Sequence, residues 1–138
     1  IVQYIGDSVL AMWNAPVHDE RHIENACRCA LSMKAAIDEM NASNRAAGRP
    51  ELVTRFGLHT GPAVVGSVGA ETRRQYTAIG DTVNIASRLE GLNRDYGTSI
   101  LVSSAVRNAV AENFSFLPIG TVSVRGRTGQ TELYELRG

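Results

Sequence analysis

Between Asn14-Ala-Pro16 and Gly48-Arg-Pro50, the apolar residues Ile23, Ala26, Cys27, Ala30, Met33, Ile37 and Met40 recur at the spacing of one helix face. This is the strongest constraint on the fold: it predicts one long amphipathic helix. Upstream, residues 1–5 and 8–13 are two short β-type runs separated by Gly6-Asp7, a turn dipeptide, so a hairpin with Asp7 at its tip is expected. Downstream, Leu52 to His59 alternates as a half-buried strand does, and Gly61 to Gly69 is an extended segment with glycines at its bends; these predict a further hairpin-like unit. A strand at Tyr76–Ile79, a helix from about Thr82 to Asn93, a strand at Ser99–Val102 and a short helix from Ser104 to Asn113 follow. Phe114 to Leu136 then forms two β-type runs joined by Arg125-Gly-Arg127-Thr-Gly129. Hairpins interleave with helices in place of strict βαβ repeats, which predicts an α+β fold, an antiparallel or mixed sheet with helices packed on it.

The 138 residues support one core, so a single domain over residues 1–138 is expected. Fourteen basic and fourteen acidic residues cancel, and no global field draws the chain to nucleic acid or to an anionic membrane. Nucleic acid is therefore not expected as a partner, and any phosphate must be held locally. Cys27 and Cys29 stand two apart on the predicted helix, where side chains do not face each other, a usage that fits a reducing compartment. No apolar run approaches the length of a membrane span, and the N-terminus lacks a signal-peptide pattern. The chain opens at Ile1, directly into Ile-Val-Gln-Tyr-Ile, which reads as a strand already under way. We expect it to be part of a longer protein.

The chemistry concentrates after Tyr76. A Gly80-Asp81-Thr82 turn opens a helix carrying Asn84 and Arg88 four residues apart, which stacks both side chains on one face. An amide and a guanidinium side by side, near a helix start that itself attracts anions, can grip a sugar and a phosphate. Two other patterns carry no such chemistry. His18 and His22 are spaced as in a zinc-protease helix, but Asp19 stands where the general-base Glu would follow the first His, so they read as the polar start of the long helix. His59, inside an alternating strand, reads as a hydrogen-bonded structural histidine.

Taken together, Gln3-Tyr-Ile-Gly-Asp-Ser-Val-Leu-Ala-Met-Trp13, Arg55-Phe-Gly-Leu-His-Thr-Gly61, Tyr76 to Glu90 with its Gly-Asp-Thr-Val-Asn-x-Ala-Ser-Arg run, and Val124-Arg-Gly-Arg127 resemble, in order and spacing, the class III nucleotidyl cyclase catalytic domain. The resemblance covers essentially the whole chain and implies a ferredoxin-like sheet with added helices, lacking its first elements. The implied reaction converts ATP to 3′,5′-cyclic AMP and pyrophosphate in signal transduction, using two Mg2+ or Mn2+ ions in attack of the ribose 3′-hydroxyl on the α-phosphate. By residue-by-residue matching, Asp7 is similar to one of two metal-binding aspartates. Asn84 matches the residue that orients the ribose, and Arg88 the one that stabilises charge on the α-phosphate in the transition state. Arg55 and Arg125 match basic residues that hold the phosphates, Arg125 replacing a Lys, and Arg127 reads as a solvated surface arginine. Gln3 and Thr77 occupy the two positions that read the base. Thr77 suits adenine, whereas Gln3 departs from the Lys of adenine enzymes, and its amide can serve as donor or acceptor.

The family's Phe-x-Asp-x-x-Gly-Phe-Thr segment, which carries the other metal aspartate, is not in this sequence. The resemblance therefore implies that these residues alone are inactive and fold poorly, with strand edges and apolar surface exposed. It also implies a head-to-tail homodimer, with Asp7 and Arg55 from one subunit meeting Gln3, Thr77, Asn84, Arg88 and Arg125 of the other. In detail the chain is similar to cytoplasmic catalytic domains attached to membrane-anchored sensors, so an upstream regulatory domain is expected in the parent. Two alternatives stay open: a non-catalytic cyclase-like module that binds nucleotide and regulates by dimerising, and a guanylate cyclase.

Overall fold

The computed structural model describes residues 2–69, 75–123 and 130–138; the side chains of Val68 and of Gln75 to Thr77 lie outside that description. The first β-runs form the expected hairpin, β1 (Val2–Ile5) antiparallel to β2 (Ser8–Ala11), with Ile5 opposite Ser8 and Gly6-Asp7 as its two-residue turn. The long helix is α1 (His22–Ala46). It begins at His22, so His18 lies outside it and the two histidines do not stack on a helix face. Asp19 organises the entry instead: its carboxylate accepts the Arg21 N–H at 2.9 Å and the Asn25 amide at 2.9 Å, bonds that hold its pKa below the usual carboxylate range.

The central sheet has the order β3-β6-β8-β7, built from β3 (Phe56–Leu58), β6 (Ile100–Ser103), β7 (Phe116–Ser123) and β8 (Gln130–Leu136). β3 runs parallel to β6 and the remaining pairs are antiparallel, so the sheet is mixed, as expected. A separate antiparallel ribbon pairs β4 (Val64–Val68) with β5 (Gln75–Ile79). Two expectations are corrected here. The hairpin after Leu52 is β4 with β5, while β3 joins β6 across the chain. The strand is also shorter than Leu52 to His59, because the Asn41 side chain of α1 occupies the Leu52 backbone, accepting its N–H at 2.7 Å and donating to its carbonyl at 2.8 Å. Residues 51–55 are thereby held to a helix and take no part in a ladder, and Leu52 and Val53 remain exposed.

Alternation along the sheet sends its side chains into two cores. Ile100 and Val102 of β6 and Leu136 of β8 face Cys27 and Ala30 of α1 and Val106 and Val110 of α3 (Ser104–Val110). Leu101 and Leu133 point to the opposite face, where they meet Ile85, Leu89 and Leu92 of α2 (Asp81–Tyr96). A bulge between Pro118 and Gly120 shifts the register, so Phe116 packs with the first core and Val122, of the same parity, with the second. Each fully buried Leu or Ile of α2 contributes about 1.5–3 kcal/mol, enough to hold that helix on the sheet.

Cys27 is fully buried and Cys29 partly so, and neither is in a disulfide. Burial pushes the Cys27 thiol up to about 11. In the folded protein at mildly alkaline pH, iodoacetamide is expected to alkylate Cys29 and to reach Cys27 only as the protein unfolds. Equal rates at both thiols, read by peptide mass, would contradict this packing.

Candidate active site

Helix α2 starts where the chain can turn sharply. Gly80 sits at φ 135°, which side chains other than glycine rarely adopt, and its carbonyl accepts the N–H groups of Val83 at 3.2 Å and Asn84 at 3.3 Å. Asp81 in the first turn complements the positive end of the helix dipole. At the other end Gly97, at φ 66°, caps the helix by donating its N–H to the Asn93 carbonyl.

Because Ile85, Leu89 and Leu92 are buried, the residues between them on the helical wheel turn outward. Asn84, Ser87, Arg88, Gly91 and Asp95 line an open cavity of about 490 Å³. The structure thus brings Asn84 and Arg88 together on one exposed face, and the missing side chain at Gly91 leaves open space beside the guanidinium. The face offers an amide, a hydroxyl and the guanidinium groups of Arg88 and Arg94, with the Asp95 carboxylate beside them, a set whose cations and amide can meet a sugar phosphate.

The helix is tied down on its hidden side. Thr82 donates its hydroxyl to the Pro62 carbonyl, and a Cβ on Gly61 would lie 2.8 Å from that hydroxyl. Gly57 of β3 meets the helix backbone directly: a Cβ there would overlap Ala86 O and Glu90 N. Asn93, 1% exposed, donates to Phe56 O at 2.9 Å and to Glu90 O at 3.1 Å, and accepts from the Thr98 hydroxyl at 2.7 Å. Sequence reasoning named Thr82 in the turn that opens the helix but did not single out Gly57, Asn93 or Thr98. A polar Asn directly beside the apolar stripe of Ile85, Leu89 and Leu92 was the available signal.

Asp7, Gln3 and Arg55 are not among the residues lining this cavity. Asp7 is exposed at the β1–β2 tip, where Gly6 takes φ 60° and Asp7 keeps a negative φ, the sign pattern of a type II′ turn. Gln3 is half-buried opposite Leu10 in the same hairpin. Arg55 is half-buried and directly precedes Phe56, whose N–H donates to Ser99 O at 2.8 Å. Thr77 is opposite Gly66 in β5, its side chain outside the description, and Arg125 and Arg127 lie outside the described residues altogether. His59 donates to or accepts from the Ser103 hydroxyl at 2.7 Å through Nδ1, a structural bond as expected.

The Asp7 carboxylate is a hard oxygen donor that fits a divalent cation as one ligand. Among the described residues there is no group of three or more His, Cys, Asp or Glu side chains able to hold a metal. Also among the described residues, no helix is long and apolar enough to cross a membrane.

The described residues form an α+β fold with a mixed sheet, Asn84 and Arg88 on the outer face of one helix and an exposed carboxylate on a hairpin tip. The chain belongs to the adenylate and guanylate cyclase catalytic domain family, whose model matches residues 1–138. It is 57% identical over 138 residues to Adenylate cyclase 1 of Rhizobium meliloti (strain 1021), covering 100% of this chain and 21% of that relative. The chain thus spans about a fifth of the length of that curated relative. Two crystal structures superpose at a TM-score of 0.87: the guanylyl cyclase Cya2, at 27% identity with 100% of this chain and 70% of that one covered, and the adenylyl cyclase CyaB from P. aeruginosa, at 26% identity with 99% and 70% covered.

Proposed function

We propose that the chain forms ATP into 3′,5′-cyclic AMP and pyrophosphate, as the greater part of a cytoplasmic, homodimeric signalling domain. The observation that carries this reading is the Asn84–Arg88 row on the open face of α2, held by a helix whose other face is buried. Asn84 holds the ribose and Arg88 donates to the α-phosphate. The 3′-hydroxyl loses its proton, the O3′–Pα bond forms, and the bond from Pα to the pyrophosphate oxygen breaks. Charge on the phosphate oxygens grows along this path, so a guanidinium placed there favours the transition state over bound substrate. Arg55 and Arg125 hold the outer phosphates, and Gln3 and Thr77 the base. Asp7 would share two Mg2+ or Mn2+ ions with a second carboxylate supplied by the rest of the catalytic domain. When bound, these ions neutralise the triphosphate and acidify the hydroxyl.

Asp7 and Arg55, the two residues assigned to the opposite subunit, are not among the residues lining the α2 cavity. This supports a site completed by a second copy. Because one chain carries both sets of residues, a symmetric dimer then has two sites.

ATP is preferred over GTP on the strength of the 57% identity to an adenylate cyclase. The test is incubation of the full-length protein with ATP and with GTP in the presence of Mg2+ or Mn2+, followed by product separation. Cyclic AMP in excess supports the reading. Cyclic GMP in excess would convert it to a guanylate cyclase, and no product from a folded dimer would favour the regulatory module. Gln3→Lys is expected to raise the preference for ATP over GTP about tenfold, since an ammonium donates only, whereas the amide serves either base. Unchanged kcat/KM ratios would remove Gln3 from the base site.

A further inference from the structure

We propose that Asn93 is a positioning residue for Arg88, setting the register of α2 along β3 through a directional hydrogen bond to the Phe56 carbonyl. The inference rests on the reading that Arg88 acts on the α-phosphate. Most of what holds α2 to the sheet has no directional preference along the helix axis. The contacts of Ile85, Leu89 and Leu92 are apolar, and Gly57 brings β3 close against the helix backbone; neither contact is directional in the way a hydrogen bond is. Register comes from groups that must meet a particular partner.

Asn93 is such a group. It is the one fully buried polar side chain of α2 among the described residues. Its amide donates across to Phe56 O at 2.9 Å and back to Leu89 O at 3.3 Å and Glu90 O at 3.1 Å, so a carbonyl of β3 is joined to the last turns of the helix. The amide cannot flip, because its oxygen would then confront three carbonyl oxygens. The Thr98 hydroxyl, donating to Oδ1 at 2.7 Å, fixes it further. Thr98 N–H also donates to the Asn93 carbonyl at 3.1 Å, so one residue ties the helix, β3 and the connection to β6. Arg88 lies between this anchor and the Thr82–Pro62 bond at the helix start. A shift of α2 by a fraction of the 1.5 Å rise per residue moves its guanidinium away from the reacting phosphate.

The test uses the full-length protein and measures kcat and KM for ATP. Asn93→Leu is expected to lower kcat about tenfold or more with KM changed less than about twofold, as a small misplacement of a transition-state donor does. Thr98→Val removes only the orienting hydroxyl and is expected to lower kcat about threefold, whereas Thr98→Ser, which keeps it, restores the wild-type rate. Val110→Ala, which opens the opposite core, serves as the control for lost stability. In an Arg88→Ala background, Asn93→Leu is expected to have no further effect on the residual rate, because it acts through that guanidinium.

The proposal is overturned if Asn93→Leu multiplies the Arg88→Ala loss, or if its kcat falls no further than that of a Val110→Ala variant of equal melting temperature. If Asn93→Leu does not fold, Thr98→Val with the same kcat as Thr98→Ser overturns it. Normal turnover in Arg88→Ala alone would instead remove the site assignment on which the proposal stands.

Discussion

Arg88→Ala is expected to lower turnover by about two orders of magnitude or more while leaving the fold intact, the loss that follows removal of an oxyanion donor. The two halves of this expectation have separate origins. The side chain is on the exposed face of α2 and, among the described residues, makes no ion pair, so its removal opens no cavity and strands no partner. On the proposed reading, its target is the charge that accumulates on the α-phosphate as the new ester bond forms. KM for ATP should therefore change much less than kcat, since the proposed reading gives ground-state binding to Arg55, Arg125 and the base-reading positions. Steady-state kinetics together with a melting curve checks both halves. A fall in KM-limited binding with unchanged kcat would make Arg88 a substrate anchor only.

The second large effect is on stability. Gly57→Val is expected to destabilise the domain by about 3 kcal/mol or more, the upper end of overpacking losses. A side chain at Gly57 overlaps Ala86 O and Glu90 N, both main-chain atoms of a helix, and neither can rotate away as a side-chain tip can. Relief requires α2 to lift off β3, which uncovers Ile85, Leu89 and Leu92 and parts Asn93 from Phe56 O. Gly66→Ala serves as the contrast, because nothing lies within 4 Å of a Cβ built there. Chemical denaturation midpoints for the two variants decide the matter. Equal midpoints would mean that the helix and strand do not touch as described.

Local pattern made much of this fold readable. The apolar spacing of Ile23 to Met40 gave α1, Gly6-Asp7 gave the hairpin tip, and Asn84 with Arg88 gave a face that the structure does present to solvent. These are short-range features, set by helix period and turn conformation. What escaped reading depends on groups distant in the chain. The parallel pairing of Phe56 with Ile100 leaves no trace in the alternation of either strand, and the strand-like run from Leu52 was taken out of the ladder by Asn41 of a preceding helix. Gly57 and Asn93 looked like an ordinary strand glycine and a helix-end residue, because their importance is visible only once β3 lies against α2. Asp7 and Arg88, which the resemblance implies meet across two subunits, occupy a hairpin tip and a helix face in one chain, and Asp7 does not line the α2 cavity.

That separation makes a catalytic site shared between subunits testable by mixing. Asp7→Ala and Arg88→Ala versions of the full-length protein, each inactive alone, are to be combined at equal concentration, allowed to exchange subunits, and assayed for cyclic AMP formation from ATP. In a head-to-tail dimer the mixed species keeps one intact site, with Asp7 from the Arg88→Ala subunit and Arg88 from the Asp7→Ala subunit. Activity should therefore return to about a quarter of wild type, half the dimers being mixed and each having one of two sites. A mixture no more active than its components, after subunit exchange has been demonstrated, would contradict a shared catalytic site.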